Sequence, residues 1–455
     1  MNTTSLLNLK IRPVTALWLF MFLSFLTSPF NPNPKYYGFN SVEFSFFALI
    51  FVFAFIAFLV FLKQGRAKLI TDSVLYYCSI FMVLQILSVI DTQAKLRGIL
   101  FAGQYLPYFF LMYLAIAIVN TQMKLEEILN KLILLTIIFN VILCSAAIYF
   151  NSRSMLDAFM KDYFQIELMK VLVFIELPFA ILAYRIMNSK VNKLEIIAFV
   201  TSLISTMLSG SRGCFLIMAG IIYLAIYKER FTMGKIWKSI VIVITLLIAT
   251  LSTGYVQERL DLLFVTSESE YQDKIVSFSR VYTMQMAFKM MKDNPINGVG
   301  TGNMSNYTGR AFLDMKPQLP SEIIEYWRKN VIYETTTSPL KYGAELGVGG
   351  FLFFFVFYYY LWMRSRRGVK IAGTNMRGNL QGMEIFIVGS FFHNIIDLTI
   401  TNYYTWFYYG LAIAACRIVQ ENKIKIRRVY GNEKDNYNRT GWRDVGNINA
   451  PNPSR

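Results

Sequence analysis

The chain has 455 residues, 55% of them hydrophobic and only 16% charged, which leaves too little polar surface for a string of soluble domains. Its apolar residues gather in runs of about 20, the length that crosses a bilayer as helix. The net charge of +17 would point to nucleic acid in a soluble protein. Here the lysines and arginines sit in short loops between apolar runs, so membrane lipid, and no nucleic acid, is the expected partner.

Lys10 and Arg12 precede the first run, Val14 to Pro29. Its Thr27-Ser28-Pro29 end is a poor cleavage site, so it reads as a retained helix. Further runs cover Val42 to Leu62, Leu69 to Ile90, Ile99 to Val119, Leu132 to Phe150 and Val171 to Met187. Ile196 to Leu208 and Cys214 to Tyr227 then flank an abrupt polar break, Ser209-Gly210-Ser211-Arg212-Gly213. Ile240 to Thr253 opens into the longest polar interval, and Tyr342 to Trp362, Gly382 to Ile400 and Tyr403 to Val419 follow it.

These runs predict an all-α polytopic integral membrane protein with about twelve transmembrane helices and one large outer loop. Residues 1–254 carry spans one to nine, 255–341 the loop, 342–419 spans ten to twelve, and 420–455 a polar, Asn-rich tail expected to be disordered. Basic clusters at Lys63 to Lys68, Lys124, Lys190, Lys228, Arg364 to Arg377 and Lys423 alternate onto one side. The positive-inside rule makes that side cytoplasmic and turns the loop toward the periplasm or exterior.

Cys78, Cys144, Cys214 and Cys416 lie in or beside apolar spans, which argues against a disulfide framework. The single histidine, His393, and the lack of any Cys/His pair at ligand spacing argue against a metal site, and no cofactor is expected.

In the loop, Ser279 is placed to cap a helix whose stripe would be Val281, Met284, Phe288 and Met291, stopped by Asp293-Asn294-Pro295. Arg280 leads that helix, facing solvent or an anion. Gly298, Gly300 and Gly302 follow without a preceding strand, so a nucleotide-binding turn is excluded; a flexible turn or a ligand contact remain. Arg212 lies in a hairpin too tight to carry it far into water, where an arginine costs about 2.5–3.5 kcal/mol. It either snorkels to the interface or, with Ser209 and Ser211, builds an anion site. Glu345 lies about one turn inside the tenth span, paired with Lys341 at i−4 or acting in catalysis. His393 and Asp397, at i and i+4, read as a buried polar pair.

The Ser-Gly-Ser-Arg-Gly break, the Asn-Pro-Ile-Asn-Gly-Val-Gly-Thr-Gly-Asn loop behind an arginine-led helix, and Glu345-Leu346-Gly347-Val348-Gly349-Gly350 together resemble the bacterial O-antigen polymerase and O-antigen ligase superfamily. The close match runs from about Ser205 to Gly350. The resemblance implies a GT-C-like, metal-independent glycosyltransferase of the bacterial inner membrane, acting at its periplasmic face on undecaprenyl-diphosphate-linked oligosaccharide, with a chain-length-regulating co-polymerase as a possible partner. It implies that Arg212 and Arg280 hold the diphosphate as catalytic arginines. The residues themselves offer Glu345, or failing that Glu334, to orient or deprotonate the acceptor hydroxyl, with Ser209, Ser211, Gly298, Gly300, Asn303, Glu334 and Lys341 as candidate substrate contacts. Ligases carry a histidine just before the last loop-to-helix transition, where this chain has Thr335-Thr336-Thr337-Ser338. The polymerase branch is therefore favoured, with a ligase as the alternative. A lipid-linked-oligosaccharide flippase is the further alternative, disfavoured because polar residues gather in one asymmetric loop and not along a central path.

Overall fold

The computed structural model describes residues 12–26, 54–65, 67, 69–90, 92, 95–103, 105–150, 155–156, 171–189, 191–208, 212–228, 234, 237, 282–304, 306–308, 314, 337–396 and 403–440. Every extended element among them is a helix: α1 (Pro13–Leu26), α2 (Ala54–Lys63), α3 (Ser73–Ile90), α4 (Lys95–Gly103), α5 (Tyr105–Ile118), α6 (Gln122–Phe150), α7 (Val171–Asn188), α8 (Lys193–Leu208), α9 (Arg212–Tyr227), α10 (282–293), α11 (Ser338–Ile371), α12 (Thr374–Ile396) and α13 (Tyr403–Thr440). The ninth expected span, Ile240 to Thr253, lies outside the described residues.

Among the described residues, four stretches are long and apolar enough to cross a membrane by length and composition: Ser73–Ile90, Lys95–Ile118, Gln122–Phe150 and Ser338–Ile371. α3 shows which solvent it is built for. Its exposed face is Tyr76, Ile80, Val83, Ile86 and Ile90, while its buried face holds Gln85 and Ser88. A water-soluble helix has the opposite polarity. The chain is a multi-pass membrane protein.

α5, α7, α12 and α13 form the centre, and α3, α6, α8 and α9 pack around it with α11. α7 is buried from Leu172 to Ala183 although Pro178 stands inside it. A proline removes the hydrogen bond to the carbonyl four residues back, here Phe174. The Tyr408 hydroxyl of α13 donates to that carbonyl, so the freed oxygen is satisfied inside the protein. Gly410 lets α13 approach α5, since a Cβ there would stand 2.5 Å from the Met112 carbonyl.

Two expected boundaries shift. α11 begins at Ser338, before Tyr342, because Pro339 suits a helix's first turn. α13 continues as backbone helix to Thr440, so the first part of the tail expected to be disordered is helical; the stretch after Val419 is rich in straight-chain residues that favour helix, and Arg417 pairs with Glu421 at i,i+4.

Ion pairs tie together helix ends that the basic-loop pattern assigns to one side. Arg364 near the end of α11 holds Asp72, just before α3, with Nη1–Oδ1 at 2.5 Å and Nη2–Oδ2 at 2.6 Å. Lys228 after α9 meets Glu384 of α12 at 2.6 Å. Arg185 of α7 bridges Glu195 of α8 and the Asn379 side chain of α12. The opposite end, with the start of α9, the loop after α10 and the start of α11, is left for other work.

Burial pushes the Asp72 carboxyl up, but the hydrogen bond and charge of Arg364 outweigh it and hold the group below its usual value. The stability this adds is present above the ordinary carboxyl pKa and is lost as pH falls through the lowered one. Asp72→Ala leaves the half-buried Arg364 without its carboxylate and is expected to lower stability by about 1.5–3 kcal/mol. Melting of the detergent-solubilised protein should show the full deficit at neutral pH and a shrinking one in acid. An unchanged melting temperature at pH 7 would rule out the clamp.

Candidate functional site

α10 stops at Asp293 before Asn294-Pro295, where proline forbids a helical predecessor. Its buried face is Thr283, Met286, Ala287, Met290 and Met291, and Phe288 is 55% exposed. Of the stripe expected on Val281, Met284, Phe288 and Met291, Val281 lies outside the described residues, Met291 is buried and Phe288 is not, so the buried face is rotated. Both sides of this helix carry methionine and other apolar residues, so periodicity alone does not choose between them. Tertiary contact decides it: Met286, Ala287 and Met290 pack with Val299, Met304 and Ala344 in a small core of their own.

α11 is broken at Gly347, where φ is 71° and ψ −163°. A broken helix leaves backbone groups without their i,i+4 partners, and in a membrane protein those groups must be satisfied by other protein atoms. The loop after α10 does this. Val299 N–H donates to the Ala344 carbonyl at 2.8 Å, Gly300 N–H to the Glu345 carbonyl at 3.0 Å, and Val348 N–H to the Pro295 carbonyl at 2.8 Å. The approach is too close for side chains. A Cβ on Gly298 would stand 2.4 Å from the Glu345 carbonyl carbon, and one on Gly347 would stand 2.4 Å from the Pro295 oxygen. Gly298 and Gly347 also adopt φ of 63° and 71°, a region that L-residues avoid.

The far side of the loop is bound to α3. Thr301 N–H donates to Ser88 Oγ at 3.1 Å, and its hydroxyl donates to Gln85 Oε1 at 2.5 Å. Asn303, fully buried, donates to the Thr301 carbonyl at 3.1 Å and accepts from Asn306, whose side-chain oxygen takes a bond from Arg97. A cleft of about 240 Å³ remains beside this dock, lined by Ser88, Thr92, Asn294, Asn297, Tyr307 and the 295–299 segment.

The start of α11 is joined to the end of α12. Ser338 Oγ donates to Asn394 Oδ1 at 2.8 Å, and Asn394 Nδ2 donates to Tyr358 OH at 2.8 Å. Ser390 and Tyr409 complete the buried group, with Tyr358 and Tyr409 hydroxyls in direct contact. The neighbouring His393 has its Nδ1 3.4 Å from Glu176 Oε2 of α7.

The predicted residues fall into three sets. Gly298, Gly300, Asn303, Lys341 and Glu345 come together at the dock, with Lys341 and Glu345 both buried in the first turns of α11. Gly298 and Gly300 serve it through shape, and their N–H groups are bonded to Asn294 and Glu345 carbonyls, so the glycine run is a packed dock and not a flexible turn. The Asn303 side chain is spent on closing the loop. Arg212 opens α9 at the same end of the bundle. Ser209, Ser211, Arg280, Glu334 and Asp397 lie outside the described residues. The partner observed for His393 is Glu176, where the sequence suggested Asp397. Sequence reading missed Glu176, Ser338, Tyr358 and Asn394. Glu176 alone carried a usable signal, a carboxylate inside an apolar span.

The fold and this end of it define a multi-pass membrane protein with a polar site, among the described residues, built where a loop splices into a broken helix. Residues 197–355 match the family model described as O-antigen ligase. That stretch, about a third of the chain, contains Arg212, α10, the docked loop and Glu345, and the match supports the O-antigen ligase/polymerase superfamily without separating the two branches. Members of that family are glycosyltransferase-like enzymes, and the likeness supports a role in surface-polysaccharide biosynthesis. No curated protein matches the chain.

The dock predicts a graded response to alanine. Gly298→Ala and Gly347→Ala drive a Cβ into backbone and force a left-handed residue, a strain of about 1–3 kcal/mol before any clash is relieved. Gly302, at φ 68°, shares the left-handed strain, but its new Cβ would meet the Phe101 side chain, with Cγ at 2.5 Å and Cβ at 2.9 Å, and no backbone. Thermal stability should fall clearly for the first two and less for Gly302→Ala. Three equally stable variants would mean that the loop does not dock in this way.

Proposed function

We propose that this protein is a polymerase of surface polysaccharide, joining undecaprenyl-diphosphate-linked repeat units at the periplasmic face of the bacterial inner membrane. One growing glycan is transferred from its lipid diphosphate to a hydroxyl of a newly arrived, lipid-linked unit. The observation that carries the reading is the gathering of the family-matched segment's motifs at one end of the bundle: the α9 start with Arg212, the docked loop, and the buried Lys341 and Glu345. Arg212 and Arg280 would hold the diphosphate and stabilise the charge that develops as it leaves. Glu345 would orient the acceptor, with Lys341 beside it. The cleft lined by Ser88, Asn294 and Tyr307 would receive a sugar. Thr337 and Ser338 stand where ligases carry a histidine, which favours polymerase. The description of the matched family as O-antigen ligase keeps transfer to a final, non-growing acceptor as the second reading.

Deleting the gene and resolving the surface glycan on a gel separates the readings: single repeats on the final acceptor for a polymerase, naked acceptor for a ligase. Arg212→Lys and Arg280→Lys keep the charge but lose the planar fork that grips phosphate. Each contact to an anion is worth about 1.5–3 kcal/mol, so each variant should slow laddering about ten- to a hundredfold at matched protein level. Arg310→Lys and Arg328→Lys should ladder normally. Equal damage from all four would reduce the requirement to net charge, and loss of activity on chelation would contradict a metal-independent site.

A further inference from the structure

Glu176 and His393 are each 1% exposed, on α7 and α12, inside two apolar runs that the sequence assigns to membrane spans. The second oxygen of the carboxylate, Oε1, and the second ring nitrogen, Nε2, have no hydrogen-bond partner among the described residues. A buried ion pair with an unsatisfied atom on each member is poor glue, because apolar residues of the same volume stabilise a core as well or better. Ionisable groups kept at such depth mark function.

Their position says which function. At about 1.5 Å per residue, His393 lies roughly 5 Å below the end of α12 and Glu176 roughly 8 Å below the start of α7. Cys214, two residues after Arg212, stands beside the imidazole. The adjacent Asn394 takes the hydroxyl of Ser338, the first residue of α11. The pair therefore sits directly beneath the α9 and α11 ends that carry the candidate site.

We propose that Glu176 and His393 form a proton-accepting dyad that serves the transfer reaction, a proposal that rests on the reading above. The carboxylate accepts the hydrogen bond from Nδ1–H and so fixes the tautomer in which Nε2 is the bare acceptor. In the transfer, the acceptor's O–H bond breaks as its oxygen bonds to the anomeric carbon. The bond from that carbon to the diphosphate oxygen breaks, and its electron pair leaves with the diphosphate. The proton ends on Nε2, and Glu176 stabilises the imidazolium. The other titratable groups facing the pair are Cys214 from α9, Tyr358 from α11 and Tyr408 and Tyr409 from α13. A thiol and phenols ordinarily titrate above imidazole, so an activity limb below about pH 8 belongs to the dyad.

The chain has one histidine, so imidazole nitrogen NMR of protein carrying no histidine tag reads His393 alone, whatever reaction the protein catalyses. The expected spectrum at neutral pH is Nδ1–H with bare Nε2, taking up one proton as the pH falls, and Glu176→Gln should alter that titration. The opposite tautomer, or an imidazolium locked from pH 5 to 9, overturns the dyad.

Turnover of purified undecaprenyl-diphosphate-linked repeats supplies the second arm. His393→Gln should lose about a hundredfold or more and abolish the rising pH limb. The double variant Glu176→Gln/His393→Gln should fold as well as wild type and stay inactive. A double variant that regains turnover, or that fails to fold, shows a purely structural pair and overturns the proposal. Arg212→Lys run alongside separates the two ideas. If it is fully active while the dyad variants are dead, the diphosphate reading fails alone. If it is dead while the dyad variants keep wild-type rate and pH limb, the dyad fails alone.

Discussion

Three backbone hydrogen bonds between the 295–300 loop and the interrupted helix α11 hold the candidate site together. A polypeptide can leave helical geometry at the edge of a bilayer only where other protein atoms take over the released N–H and C=O groups. The break at Gly347 and the loop satisfy one another: each supplies what the other lacks. Gly298 and Gly347 are required because the two backbones meet at distances that exclude a Cβ. Everything placed near the splice inherits its rigidity, including Glu345 within it, the buried methionines of α10 beneath it and the polar end of α3 behind it.

The bundle's two ends are built from different chemistry. One end is stapled by charge: Asp72 with Arg364, Lys228 with Glu384, and Arg185 with Glu195. The other uses neutral hydroxyls and amides, among them Ser88, Thr301, Asn303, Ser338, Asn394 and Tyr358. Neutral groups satisfy buried backbone without adding fixed charge, which leaves the field at that end to a few ionisable residues: Lys341, Glu345, Glu176 and His393, with Arg212 opening α9 nearby. An end that must handle an anionic substrate benefits from that economy, since structural charges would compete for it.

α12 carries several polar side chains into the interior, and their partners show why that is tolerated. It buries Asn379, Gln381, Glu384, Ser390, His393 and Asn394. Most of these reach a partner on α7, α9 or α11. Helices in lipid gain little from burying apolar surface against one another, so such polar contacts and close glycine approaches, as at Gly410, carry much of their specificity.

Sequence by itself determined the class, because runs of about 20 apolar residues admit few other structures. It also located the segment that carries the family motifs, the stop of α10 at Asn294-Pro295 and the burial of Glu345. These are local consequences of hydropathy, proline sterics and charge in an apolar run. The facing side of α10 was decided only by tertiary structure, because methionine and phenylalanine on both of its sides leave the periodicity degenerate. The same holds for the glycine run, which reads as a loose turn until the carbonyls of Ala344 and Glu345 are set against it. The meeting of Glu176 with His393, 217 residues apart, was equally beyond reach, since two helices buried over most of their length give no sign along the chain of which neighbour a side chain will find.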